Sequence, residues 1–346
     1  MLQNILQKYN IKPSKRLGQN FLIDKSVLSK IISAADLSPD DIVLEVGPGL
    51  GILTLELAKR VKKVIAVEKD KKMIEILKNV LNDKNVKNVE VVEGDILKID
   101  TLLRHPEPRV AGRMISTGVH DEIFPPRQAR GQNDNLSYKI VANIPYYLTS
   151  PLIRKFLEAK SPLEFMVLMI QKEVAQRICA RPPSLRSGVS GRARPPKMTL
   201  LSVATQFYAE PKIISYVSKK SFWPSPKVDS AIIKITPRSR LSVIARRSEA
   251  TTRQSHDYII GLPSDPASSA EPLAMTTEFH NHFFKVVKAA FSQPRKQLIN
   301  NLSKGLNLSR EKTKEILSKA GIFPSQRPGE LSVDKYRELT WIIWGK

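Results

Sequence analysis

The chain has 346 residues, too many for one typical small domain and suited to two, or to one with insertions. Hydrophobic residues make up 41%, which excludes a wholly disordered chain, and the single cysteine, Cys179, excludes an intramolecular disulfide or a cysteine-rich zinc site. Lys and Arg number 56 against 33 Asp and Glu, and the net charge of +23 favours a polyanionic partner, either nucleic acid or an anionic membrane surface.

No stretch approaches eighteen consecutive apolar residues, and the opening MLQNILQKYNIKPSKRLGQ lacks the apolar core of a signal peptide. A soluble, cytoplasmic protein is expected, and a monomer. A basic arm runs from Lys12 to Lys25 and contains Gln19, Asn20, Phe21 and Leu22. Residues 42–46 (IVLEV) are a short apolar, β-branched run followed at once by GPGLG at 47–51, then ILTLELAKR with helical spacing, then VKKVIAVEKD. Strand, glycine turn, helix, strand is the βαβ unit that binds nucleotides, and Gly47, Gly49 and Gly51 let the backbone turn tightly and approach a ligand. Glu68 ends the second strand, where a carboxylate can accept the hydroxyl hydrogens of a ribose.

The glycine turn alone leaves a plain structural bend or a nicotinamide enzyme open. GPGLG departs from the spacing G-x-G-x-x-G, and no pyrophosphate-facing pattern follows, so an adenosine without pyrophosphate, S-adenosylmethionine, fits better. The third strand, VEVVEGD at 89–95, ends in Asp95, which either accepts from an adenine amine or serves as a turn residue.

The fourth strand begins near Tyr138 and leads into Asn143-Ile144-Pro145-Tyr146, which should lie beyond the carboxyl ends of the strands, where doubly wound sheets bind ligands. An exocyclic amine is a poor nucleophile because its lone pair is delocalised into the ring. The Asn143 side-chain oxygen and the Pro145 carbonyl can bind its two N–H groups and aim the lone pair at a methyl donor, and Tyr146 offers a face for an extruded base. An Asx turn followed by a loop proline is the plainer reading of the same tetrad.

Gln171-Lys172-Glu173 lies at a helix start; Lys172 is a phosphate contact or part of a solvated face. Phe222, Pro224 and Pro226 make a rigid loop in which Phe222 either stacks on a base or is buried under a connector. From about 277 onward, HFFKVVKAAF, REKTKEILSKAGI and SVDKYRELTWII have helical period and a lysine-rich face suited to RNA backbone. The five histidines are scattered, His280 and His282 included, and form no metal set.

Three stretches, 104–134, 181–197 and 237–276, hold 14 of the 22 Arg but 1 of the 34 Lys, together with 12 of the 24 Pro. They lack sustained period and read as inserts, the third a flexible linker. Without them about 258 residues remain and still carry +16, so the basic surface belongs to the lysine-rich remainder. The organisation expected is a domain over 1–236 holding two of the inserts, a linker over 237–276 and a helical domain over 277–346.

Outside the inserts, RLGQNFL at 16–22, VLEVGPGLGILT at 43–54, VEKD at 67–70, EGD at 93–95, ANIPYYLTSPLI at 142–153, QKEVAQRI at 171–178, FWPSPKVDSAIIKI at 222–235, FFKVVKAAFSQ at 283–293 and ELSVDKYREL at 330–339 occur in this order. In this the chain resembles the bacterial small-subunit ribosomal RNA adenine N6,N6-dimethyltransferases. The resemblance implies an α/β fold with a doubly wound Rossmann-like methyltransferase sheet and a small C-terminal helical domain. It implies cofactor contacts at Asn20, Leu22, Gly47, Glu68, Asp95 and Asn143, to which the reading of the turn adds Gly49. It also implies two dimethylated adenines near the 3′ end of the small-subunit RNA, in immature subunits.

Two departures stand out. A family segment resembling K-x-Y-G-x-L-S-V survives only as LSV at 201–203, beside the second insert, and Pro294 falls in a helical pattern, where a kink or early helix end is expected. A non-catalytic ribosome-assembly factor and a large-subunit rRNA adenine methyltransferase are the competing readings. A nicotinamide dehydrogenase is more distant, since no hydride-handling His or Tyr-x-x-x-Lys pair accompanies the glycines.

Overall fold

In a computed structural model that describes residues 18–99, 137–159, 162–182, 197–238 and 271–345, with five positions before 18, the chain divides into two units. The first comprises Met1–Gln176 and Ala209–Pro237, and the second Arg177–Tyr208 and Arg238–Lys346. Most of the three arginine-rich stretches, and Lys12 of the basic arm, lie outside the described residues.

The first unit opens with β1 (Phe21–Leu22) and α1 (Lys25–Ala34), which Asp24 caps by accepting from the Ser26 and Val27 N–H groups. There follow β2 (Ile42–Val46), α2 (Ile52–Ala58), β3 (Lys63–Glu68), α3 (Lys71–Asp83) and β4 (Val89–Glu93). Next come β5 (Tyr138–Asn143), a 3-10 turn at Tyr146–Leu148, α4 (Thr149–Glu158), β6 (Leu163–Gln171) and α5 (Lys172–Ile178). After α6 (Leu200–Tyr208) of the second unit, the chain returns as β7 (Ala209–Val217), β8 (Phe222–Trp223) and β9 (Ser230–Pro237).

Seven strands form one sheet in the order β4-β3-β2-β5-β6-β9-β7. From β4 to β6 neighbours are parallel; β9 and β7 join antiparallel at one edge. Parallel strands covered on both faces need apolar side chains in both directions, which is why IVLEV, KVIAVE and YKIVAN read as runs and not as alternations. On α3, Met73, Ile74, Ile76, Leu77, Val80 and Leu81 recur at helical spacing and are buried. Within the sheet, the Lys139 ammonium is almost fully buried, 2.7 Å from Asp41 Oδ2 and 2.7 Å from the Asp36 carbonyl oxygen.

The order of the strands fixes where a ligand can sit. The chain runs outward from β2 through β3 to β4, then crosses back to place β5 on the other side of β2. Connections therefore leave β2 and β5 in opposite directions and open a crevice above their carboxyl ends.

The second unit holds α6, then α7 (Glu271–Ala290), α8 (Leu298–Leu306), α9 (Arg310–Lys319) and α10 (Val333–Trp344). Val203 and Phe207 of α6 share one core with Phe283, Val287, Leu302, Leu317, Tyr336 and Leu339. Ser309 and Ser332 cap α9 and α10, and the small residues Ala289 and Gly305 let α7 and α8 pack closely.

The units differ from the expected division in two respects. Ala180, Met198 and helix α6 pack with the C-terminal helices and not within the first domain, because the apolar face of α6 finds its partners there. Helix α7 starts at Glu271, so 271–276 are helical where a linker was expected. Helix α7 ends at Ala290 and Pro294 lies in the turn beyond it, an early end with no kink. The helix α8 was not singled out in the sequence.

Candidate active site

The first unit's crevice is a cleft above the carboxyl ends of β2, β3, β4 and β5. Gly47 and Gly49 from the turn after β2, Glu68 from the end of β3 and Asp95 from just past β4 all line it. So do Asn143, Pro145 and Tyr146 at the end of β5, and Asn20 and Leu22 of the N-terminal arm, with Phe222. Lys172 is not among the lining residues; its ammonium lies 3.9 Å from Asp229 and 5.3 Å from the centre of the Tyr216 ring.

The turn must be glycine at its middle. Gly49 has φ +54°, and a Cβ there would come within 3.3 Å of the Phe21 ring, filling the space between the turn and the arm. The Gly49 N–H donates to Glu68 Oε2 at 3.2 Å, and Glu68 Oε1 accepts from the Lys69 and Asp70 N–H groups at 2.8 and 3.0 Å. Burial raises the Glu68 pKa, and those backbone N–H groups pull it back in part. Three of about four acceptor positions on the carboxylate are thus taken. One ribose hydroxyl can be received as the site stands, where the sequence suggested two.

Asp95 takes the turn role, one of the two that its sequence position left open, and lines the cleft. Its Oδ1 accepts from the Leu97 N–H at 3.0 Å, as a turn residue would, while Oδ2 faces Lys69 Nζ at 2.9 Å beside the cleft. Burial opposes its ionisation, but the Lys69 hydrogen bond, the Leu97 N–H and the charges of Lys69 and Lys98 outweigh that and hold its pKa below the ordinary value.

The Asn143 amide donates to the Asn20 backbone carbonyl at 3.4 Å, and Asn20 Nδ2 donates to the Gly18 carbonyl at 3.1 Å. With its NH2 group engaged by the arm, Asn143 presents Oδ1 as an acceptor. The Pro145 carbonyl already receives the Leu148 N–H at 2.9 Å and keeps a second lone pair. Tyr146 OH and Ser230 Oγ are 2.8 Å apart, so a buried serine of β9 fixes the ring, and burial raises the tyrosine pKa.

Ser230 and Glu45 were not singled out from the sequence, nor was the partner that Gln19 of the arm takes. Gln19 donates to Asp70 at 2.9 Å, tying the arm to the start of α3, and Ser230 anchors Tyr146. Glu45 is 1% exposed inside β2 and lines the cleft, with Oε2 lacking any hydrogen bond. Burial pushes its pKa up from 4.5 to about 8; Thr54 lowers it a little, though no aligned hydrogen bond joins the two, and the Glu68 charge raises it again. An orphaned carboxyl beside a glycine cradle and two further carboxylates suits a ligand with cationic and hydroxyl groups, and S-adenosylmethionine has both. Among the described residues no group of three or more His, Cys, Asp or Glu is placed to hold a metal ion, and no helix is long and apolar enough to cross a membrane.

A family model described as Ribosomal RNA adenine dimethylase matches residues 10–245. The chain is 36% identical over 338 residues to "Ribosomal RNA small subunit methyltransferase A" of Dehalococcoides mccartyi, covering 97% of this chain and 90% of that protein. It is 35% identical over 344 residues to the protein of the same name from Clostridioides difficile, covering 99% and 94%. Among solved structures, a dimethyladenosine transferase from Plasmodium falciparum superposes with a TM-score of 0.59 at 22% identity, covering 92% of this chain and 95% of that one. The 23S rRNA methyltransferase ErmE gives 0.56 at 23%, covering 93% and 99%. These two likenesses establish the fold, a Rossmann-like sheet followed by helices. With the family model spanning the glycine turn, Glu68, Asp95 and the Asn143 tetrad, and with identity near 36% along almost the whole length, the chain belongs to the ribosomal RNA adenine dimethylase family.

Proposed function

We propose that the protein dimethylates the exocyclic amines of two adjacent adenines near the 3′ end of small-subunit rRNA, using S-adenosylmethionine, during assembly of the small ribosomal subunit. The observation that carries this reading is the meeting, in one cleft at the reversal of strand order, of the glycine turn, Glu68, Asp95 and the tetrad Asn143–Tyr146. The name shared by the full-length relatives supports the small subunit as the target.

When bound, S-adenosylmethionine supplies an electrophilic methyl group on a sulfonium that is already a good leaving group. Glu68 and Asp95 serve the hydroxyl and amine edges of the adenosine, and Glu45 offers its orphaned oxygen to a cationic group. Asn143 Oδ1 and the free lone pair of the Pro145 carbonyl accept from the two N–H groups of the target amine. That draws the nitrogen toward tetrahedral geometry and aims its lone pair across the cleft. Tyr146, held by Ser230, gives the extruded base a face to lie against. No strong base is required, since the proton leaves after transfer.

The test is methyl transfer from labelled S-adenosylmethionine to immature small subunits, with Asn143→Ala as control and the modified base identified. Dimethyladenosine at adjacent positions near the 3′ end is the expected product. Binding of both cofactor and subunit without transfer would replace this reading with that of an assembly factor.

A further inference from the structure

Among the described residues of the first unit the exposed aromatic side chains are Tyr147, Tyr216 and Trp223; Tyr147 lines the cleft, and Trp223 directly follows Phe222, which also lines it. Tyr147 is 57% exposed, directly follows Tyr146 and itself lines the cleft; its Cδ1 lies 3.9 Å from where a Cβ on Gly18 would be. Trp223 is 40% exposed on β8, paired in antiparallel register with Phe21. Residues directly opposite in such a pair project to the same face. Phe21 turns toward Gly49 and lines the cleft, so Trp223 projects to the same face of this two-stranded ribbon as Phe21, although it is not itself among the lining residues.

The inner rings are not available in the same way. Phe222 is 3% exposed and Tyr146 is tied to Ser230, so both belong to the wall of the cleft. Tyr147 and Trp223 have no such anchoring among the observed hydrogen bonds and ring contacts. They keep large apolar faces in water, a cost that a binding partner would remove. Along the chain around Trp223, Lys219, Lys220 and Lys227 are exposed, outnumbering the one partly exposed carboxylate there, Asp229, which accepts from the Lys219 N–H.

An adenine that enters the cleft must leave the stack, and its neighbours on the strand lose a stacking partner with it. Flat rings beside a basic segment are what replaces that loss, without regard to base identity. We infer that Trp223 and Tyr147 are stacking platforms for the single-stranded nucleotides that flank the target adenine, with Lys219 and Lys220 facing their phosphates. The inference rests on the proposed RNA substrate and assigns a nucleotide-binding rim outside the transfer site.

The experiment measures steady-state methylation of immature small subunits and, separately, binding of a short single-stranded RNA carrying 2-aminopurine beside an adenine. The variants are Trp223→Ala, Trp223→Leu, Trp223→Phe and Tyr147→Ala, with Tyr216→Ala as an exposed aromatic away from the cleft. Trp223→Ala and Tyr147→Ala are each expected to raise KM for subunits and Kd for the oligonucleotide about tenfold, with kcat within about twofold and S-adenosylmethionine affinity unchanged. Trp223→Phe should stay near wild type and Trp223→Leu should behave as alanine does, because leucine keeps apolar bulk but not a flat face. Wild-type KM and Kd in both alanine variants would overturn the inference. So would full recovery in Trp223→Leu, or a loss confined to Tm and cofactor affinity, either of which makes Trp223 a packing residue of the β1–β8 ribbon. If wild type transfers no methyl group, the proposed function fails, while the 2-aminopurine measurement still decides the role of the two rings.

Discussion

Replacing Glu45 with glutamine tests a carboxyl that the fold buries with one oxygen, Oε2, left without a hydrogen bond. Its pKa lies at about 8, raised chiefly by burial, against 4.5 for an ordinary glutamate. Between those values the folded protein holds the proton and the unfolded chain has released it. Stability therefore falls as pH rises, by about 1.4 kcal/mol per unit and about 5 kcal/mol across the window, and levels off above pH 8 once both states are ionised. Glutamine never ionises, so Glu45→Gln should escape this slope. Urea denaturation of both proteins from pH 5 to pH 8, without ligand, isolates the difference, since the other titrating groups are common to the two. A cationic ligand beside the carboxylate lowers its pKa, so wild-type affinity for S-adenosylmethionine should strengthen toward pH 8 relative to that of Glu45→Gln. Parallel stability curves for the two proteins would refute the reasoning, because they would mean that Glu45 is ionised and compensated at neutral pH.

Other perturbations follow from the geometry. Asn143→Ala should abolish methyl transfer while leaving S-adenosylmethionine affinity, read by calorimetry, within about tenfold, or roughly 1.4 kcal/mol; normal turnover would remove Asn143 from its assigned role. Lys139→Met takes away the ammonium that lies 2.7 Å from Asp41 inside the sheet, and should cost about 3–5 kcal/mol in urea denaturation, as an uncompensated buried charge does. Gly51→Ala places a Cβ 2.6 Å from Leu77 Cδ1 at a residue with φ +79°, and a loss of about 1–3 kcal/mol is expected, visible as a lower Tm.

Much of the first unit was legible because its physics is local. The runs 42–46, 63–68 and 138–143 are apolar and β-branched, the glycines sit where the chain turns with positive φ, and Glu68, Asp95 and Asn143 mark strand ends. Strand ends are where a doubly wound sheet collects its ligand contacts, so their placement around one cleft follows from topology. What escaped depends on contacts distant in sequence. The ribbon of β1 and β8 is two residues deep on each side, too short for any period, and joins positions 21 and 223. Ser230 reaches Tyr146 across 84 positions. Glu45 reads as an ordinary polar residue between two apolar ones; only the covered face of β2 makes it a buried carboxyl. Residues 200–208 fell within the expected first domain, and no helix was read there, whereas the apolar face of α6 is claimed by residues from Phe283 onward.

The passage of α6 into the second unit has a consequence for how this gene tolerates truncation. The backbone changes unit after Gln176, after Tyr208 and after Pro237. A premature stop at 238 would not release a trimmed catalytic portion; it would strand Met198, Val203 and Phe207 without the helices that bury them. Such a product would expose apolar surface and invite aggregation or proteolysis. Nor does any contiguous stretch of coding sequence specify the helical unit alone, so recombination that exchanged only the 3′ portion of the gene would pair a foreign bundle with a resident α6. The two units are inherited together or not at all.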